Sequence, residues 1–208
     1  MLNFINHHWE CAADYFAKNL RQLFFIYLGL FILLTVFSMV LFASNPDMAN
    51  TYYQEIMKLF EGKDILNSSG FDLYALILVN NIRAGGMIIL SGLIPFLFLP
   101  IFSFVSNAMI LGVMGAVFQI NEIGLVPFFA GILPHGILEI PALVLATILG
   151  IHICQKLVKV ILRRAAPGEF KQAFLAVVRI FLLWMLPLFA IASGIETFIT
   201  PLLLNALL

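Results

Sequence analysis

The sequence predicts an all-α fold, a polytopic membrane helix bundle of five transmembrane helices with a re-entrant half-helix and amphipathic interfacial helices. Three observations predict it. Of 208 residues, 62% are hydrophobic and only 11% charged, whereas a soluble domain is about half apolar and about a quarter charged. Five apolar blocks reach the roughly 20 residues a helix needs to cross about 30 Å of hydrocarbon. Basic residues concentrate on alternate connections, as the positive-inside rule requires. The length suits one membrane domain over residues 23–208, preceded by a segment over 1–22, without a sizeable soluble module. The net charge is zero, so nothing points to nucleic acid.

Each element has its own warrant. Residues 1–22 carry Glu10, Asp14, Lys18 and Arg21 among apolar residues, and do not read as a signal peptide. Leu2, Ile5, Trp9, Ala13, Phe16 and Leu20 recur at helical spacing, which suits a cytoplasmic helix lying on the membrane. Leu23 to Ala43 is a clean first span. Residues 50–61 form a second amphipathic helix around Tyr52, Tyr53, Ile56, Met57 and Phe60. Gly62-Lys63-Asp64 and Asn67-Ser68-Ser69-Gly70 then read as loop.

Phe71 to Leu93 is the second span, interrupted by Asn80, Asn81 and Arg83. Phe96 to Phe118 is the third, entered through Pro95 and Pro100. The fourth apolar block, 125–158, is too long for one straight helix at about 1.5 Å per residue. Pro134, Gly136 and Pro141, with Pro127 before them, mark expected breaks, giving a half-helix over 125–133 and a spanning helix over 135–158. Gln172 to about Thr200 is the fifth span, with a kink expected at Pro187.

Lys156, Lys159, Arg163, Arg164 and Lys171 lie between the last two spans, and Lys18 and Arg21 precede the first. Only Lys58 and Lys63 lie between spans one and two, with the acids Asp47, Glu55, Glu61 and Asp64, and Asp72 at the start of span two. The N-terminus is therefore expected in the cytoplasm and the C-terminus outside. Cys11 and Cys154 have no metal-ligand partner at useful spacing and read as free thiols.

Ionisable side chains inside a membrane-grade stretch are expensive unless satisfied. Counting along the spans puts Arg83 about 18 Å into the second. Asn80, Asn81, Arg83, His135, Glu139 and Glu196 are then expected to share one layer in the outer half of the bundle. His135 and Glu139 are four residues apart and share a helical face. An Arg83–Glu139 ion pair is expected, with Glu196 the carboxyl that holds a proton. Asn107 is a secondary polar position, expected to hydrogen-bond a neighbouring helix or backbone.

Three readings compete for this cluster. A buried polar seam, completed by small residues such as Gly85, Gly86 and Gly92, fixes helix packing. Alternatively, the cluster is a pocket for a headgroup, ion or partner segment. The third reading is metal-dependent chemistry, since a His and a Glu one turn apart can share an ion. Against the third, His7, His8 and His152 lie at other depths, and no His-Glu-x-x-His signature occurs. No cofactor, metal or catalytic residue is therefore expected.

Four blocks carry a family resemblance. They are Asn80-Asn81-Ile82-Arg83; Asn107 with Gly112; Pro134-His135-Gly136-x-x-Glu139-x-Pro141-Ala142; and the closing Ile195-Glu196-Thr197-Phe198-Ile199-Thr200-Pro201. Over roughly residues 70–201 the chain resembles the stage II sporulation protein M family. Ala108 departs from the glycine that usually follows the third-span asparagine. The resemblance implies a bacterial or archaeal integral membrane protein whose name-giving members look like scaffolds anchoring peptidoglycan-remodelling enzymes. It brings no catalytic role to the motif positions. The expected function is a non-enzymatic membrane scaffold or assembly factor linked to envelope remodelling. The alternatives are a transporter or lipid-handling protein, and an intramembrane metalloenzyme. Expected partners are membrane lipid and either a second copy of the chain, as a homodimer, or other membrane or envelope proteins.

Overall fold

The computed structural model describes residues 2–61 and 68–207, and every regular element among them is a helix. In order they are α1 (Leu2–Asn19), α2 (Arg21–Ala43), α3 (Pro46–Glu61), α4 (Gly70–Ser91), α5 (Pro100–Ile120), α6 (Leu125–Ile161), α7 (Glu169–Ile180), a π-helical turn (Phe181–Met185), α8 (Leu186–Phe198) and α9 (Thr200–Asn205). Five segments are long and apolar enough to cross a membrane: α2, α4, α5, α6 and the run Glu169–Asn205. Of the expected loop segments, 62–64 and residue 67 lie outside the described residues, Ser68 and Ser69 are irregular, and Gly70 already opens α4.

Local chemistry sets the boundaries. Pro100 opens α5 at a position where its missing N–H costs nothing. Gly124 precedes α6 with φ 91°, a backbone state that glycine alone adopts without strain. Pro187 sits in the first turn of α8. The expected kink there is accommodated by the π-helical turn directly before it, which absorbs the lost i→i−4 bond.

The fourth apolar block differs from expectation. Leu125–Ile161 is one continuous helix of 37 residues, so 125–133 is not a separate re-entrant piece. Pro134, Gly136 and Pro141 are not breaks. A proline inside a helix forfeits one N–H bond, whereas an interruption would strand several backbone groups where no water satisfies them. The extra length instead runs past the start of α5. A Cβ added at Gly150 would lie 2.7 Å from Pro100 Cγ, which sets Gly150 level with the start of α5. The eleven residues beyond it extend about 16 Å further.

Two helix pairs flank α6. In the first, α2 runs alongside α5. Gly112 permits close approach, since a Cβ there would sit 2.5 Å from Ser38 Cβ. The Ser38 hydroxyl donates to Met109 O at 3.3 Å. In the second, α4 packs on α8 through Gly85, where a Cβ would lie 2.9 Å from Phe189 Cε2. Between the pairs, Val144 to Cys154 of α6 form a continuous buried run.

An amphipathic helix docks at each end. Ala49 and Ile56 of α3 pack on Phe42, Val113 and Val117, where α2 and α5 finish. At the opposite end, Tyr15 of α1 hydrogen-bonds His152 Nε2 at 2.7 Å. Arg179 Nε donates to His8 Nδ1 at 3.0 Å. Ala12 and Leu20 are buried, while Ile5 and Trp9 of the expected apolar stripe remain exposed. Lys156 and Lys159 both bridge Glu169 at this end. Cys11 and Cys154 are free.

Candidate intramembrane polar site

His135 and Glu139 project from one face of α6, a turn apart. The antiparallel α8–α9 segment supplies the opposing face. His135 Nδ1 meets the Thr200 hydroxyl at 3.4 Å, and Gly131 faces Leu204, one turn further along each helix. One turn the other way, Glu139 meets Glu196. One ligand-capable atom from each of His135, Glu139 and Glu196 lies within 4.8 Å of the other two. The three residues are half-buried.

His135, Gly136 and Glu139 also line a cavity of about 170 Å³ together with Phe31 and Asn107. Phe31 and Asn107 lie near the middle of α2 and α5, so the cluster sits at mid-bundle and not in the outer half. The expectation of the outer half fails because α6 projects past the start of α5. Asn107 Nδ2 donates to Ser103 O of its own helix at 2.7 Å.

Asn81 is buried. It lies one turn before Gly85, on the face of α4 that packs against α8. Its Nδ2 has no hydrogen-bond partner among the described residues, and neither have Ser193 Oγ and Thr197 Oγ1. Ser193, Glu196, Thr197 and Thr200 recur at three- and four-residue spacing and form one stripe. Glu196 and Thr200 of that stripe face α6. The sequence reading assigned no role to Ser193, Thr197 or Thr200. Their helical spacing around Glu196 was the signal that could have found them.

Arg83 is not part of the cluster. It is exposed, and the ion pairs among the described residues are Lys18–Asp14, Lys58–Glu55, Lys156–Glu169 and Lys159–Glu169. The expected Arg83–Glu139 pair does not form. The reason is geometric: two residues along a helix is a turn of about 200°, so Arg83 points outward when Asn81 points inward. Val79 and Met87, one turn either side of Arg83, are also exposed. Asn80 is half-buried on α4. The geometry therefore brings together His135, Glu139 and Glu196, with Asn107 at the adjoining cavity, while Asn81 is buried on the face of α4 that packs against α8.

Without Arg83, no basic side chain pairs with either carboxylate among the described residues. Two ionised carboxylates this close in an apolar bundle repel strongly, so protons or a cation must neutralise them. The arrangement can therefore hold a proton, a cation or a polar ligand.

No curated protein and no solved structure matches the chain. A family model described as Stage II sporulation protein M matches residues 27–201. That range covers three of the membrane-length segments whole, most of the first and the last, and every polar residue of the site. The chain is a multi-pass membrane protein and belongs to the stage II sporulation protein M family.

Proposed function

We propose that this protein is a non-enzymatic membrane scaffold or assembly factor, linked to envelope remodelling, that engages a second membrane protein through the outward face of α4. The observation that carries this reading is Arg83. It is exposed in the interior of a membrane-length helix, with no ion pair among the described residues. A lipid-facing arginine near mid-span costs about 3 kcal/mol or more, and a partner that buries and neutralises it removes that cost. Beside it a cleft of about 340 Å³ runs between α4 and α5, lined by Met87, Ser103, Ser106 and Asn107 among others. Its hydroxyls and amide suit a polar side chain from another helix.

Charge favours a different protein over a homodimer at this face. The acids of the same layer, Glu139 and Glu196, turn inward. Two copies meeting through α4 would set Arg83 against Arg83. The partner is a membrane protein with an acidic residue at that depth. By the positive-inside rule, α1 and the 156–171 connection lie in the cytoplasm, and α3 and the C-terminus lie outside.

Native gel electrophoresis of gently solubilised membranes from the source organism tests this. Wild type and Arg83→Lys should migrate in a complex larger than one chain, and Arg83→Gln should run as the lone chain. An Arg83→Gln complex of unchanged size would refute the assignment.

A further inference from the structure

We propose that His135, Glu139 and Glu196 form a binding site for one divalent metal ion of zinc-like preference, which ties α6 to α8 at mid-bundle. Three ligand-capable atoms within 4.8 Å of one another fit around a single ion. Zinc bonds of about 2.0–2.2 Å to nitrogen and oxygen put neighbouring ligand atoms about 3–3.5 Å apart, so small rotamer changes close the set. One imidazole and two carboxylates form a mixed nitrogen and oxygen donor set that zinc accepts.

Three further observations point the same way. The first is charge. Two carboxylates face each other in an apolar bundle, and Arg83, the basic residue expected to neutralise them, points away. A divalent cation balances both at once. The second is the support of His135. The Thr200 hydroxyl lies 3.3 Å from Ile195 O and 3.4 Å from His135 Nδ1, and when it donates to the carbonyl its oxygen is left to accept from His135 Nδ1–H. That arrangement fixes the tautomer and leaves the other ring nitrogen's lone pair for a ligand, as in metal sites whose histidines are held from behind. The third is the unspent polarity around the acids. Ser193 and Thr197 are more than nine-tenths buried, belong to the stripe of Glu196, and present hydroxyls without partners among the described residues. Hydroxyls of this kind orient metal-bound carboxylates and waters in metal sites. The cavity beside His135 and Glu139 leaves room for a water to complete the coordination.

The exposed His7 and half-buried Cys11, one turn apart in α1, are a rival zinc site. The test therefore uses full-length protein without a histidine tag, in a His7→Ala/Cys11→Ser background. The protein is stripped with chelator, re-exposed to zinc, desalted and analysed for bound metal, with thermal unfolding measured in parallel. The parent should retain about one zinc per chain and melt at higher temperature with zinc than without. Glu139→Gln and Glu196→Gln, both near-isosteric, should each lose the ion and the thermal shift. Thr200→Val, which keeps all three ligands, should weaken zinc binding about 10- to 100-fold. Arg83→Gln should bind as the parent does. A parent that retains no zinc, or retention undiminished in both glutamine variants, would overturn the proposal. Two Glu→Gln variants are used so that a folding failure in one leaves the other to decide.

Discussion

Replacing Gly92 by alanine should open the seam between α4 and α6. An added Cβ would lie 2.0 Å from Gly150 O, 2.6 Å from its carbonyl carbon and 2.8 Å from its Cα. All three atoms are backbone, so no side chain can swing aside. A comfortable C···O contact is about 3.3 Å, which requires the helices to part by roughly 1.3 Å. A gap of 0.5–1 Å already forfeits about a quarter to a half of each dispersion contact along a seam. The cost should reach the upper end of overpacking, about 3 kcal/mol. Gly29 is the internal control. Nothing lies within 4 Å of a Cβ at that position, so Gly29→Ala should be neutral or stabilise by up to about 1 kcal/mol through helix propensity. Cys154 offers the readout, because it is fully buried one turn beyond Gly150 and its thiol contacts Ile94 O at 3.7 Å. In a Cys11→Ser background, thiol labelling of Cys154 during denaturation should begin much earlier for Gly92→Ala than for Gly29→Ala. Coincident labelling curves would refute the close crossing.

Further expectations concern α1 and the acid pair. Tyr15→Phe removes the hydroxyl that meets His152 and should loosen α1 by about 1–2 kcal/mol, seen as faster amide exchange over Leu2–Asn19. Burial, and secondarily the charge of Glu169, raises the Tyr15 pKa above its ordinary value of 10.0. A raised folded value means that this contribution is complete below about pH 10 and is lost as pH climbs through the folded pKa. Alkaline release of α1 should therefore be absent in Tyr15→Phe. In metal-free protein, Glu139→Gln and Glu196→Gln should each relieve the same repulsion. The double variant should then fall short of the sum by about 1 kcal/mol in a denaturation cycle, and strict additivity would place the two carboxylates out of reach of each other.

The closing motif around Glu196 and the His135–Glu139 pair were legible because helical spacing alone puts i and i+4 on one face. Arg83 was misread for want of the same arithmetic. Asn81 and Arg83 stand two apart, and one helix cannot turn both toward the same neighbour. The proline-rich stretch of α6 misled for a different reason, since proline breaks helices in water more readily than where a broken backbone has no solvent to satisfy it.

The sequence by itself determined the membrane class, the number of membrane-length segments and the family. Those properties are written in run length, charge placement and short-range spacing, which need no partner to be read. Tertiary structure decided which of the polar residues meet, that α6 runs unbroken past its neighbours, and that Glu196 and not Arg83 faces Glu139. Contacts between helices far apart in the chain depend on crossing geometry at points such as Gly92 against Gly150, and no local pattern encodes where two backbones touch.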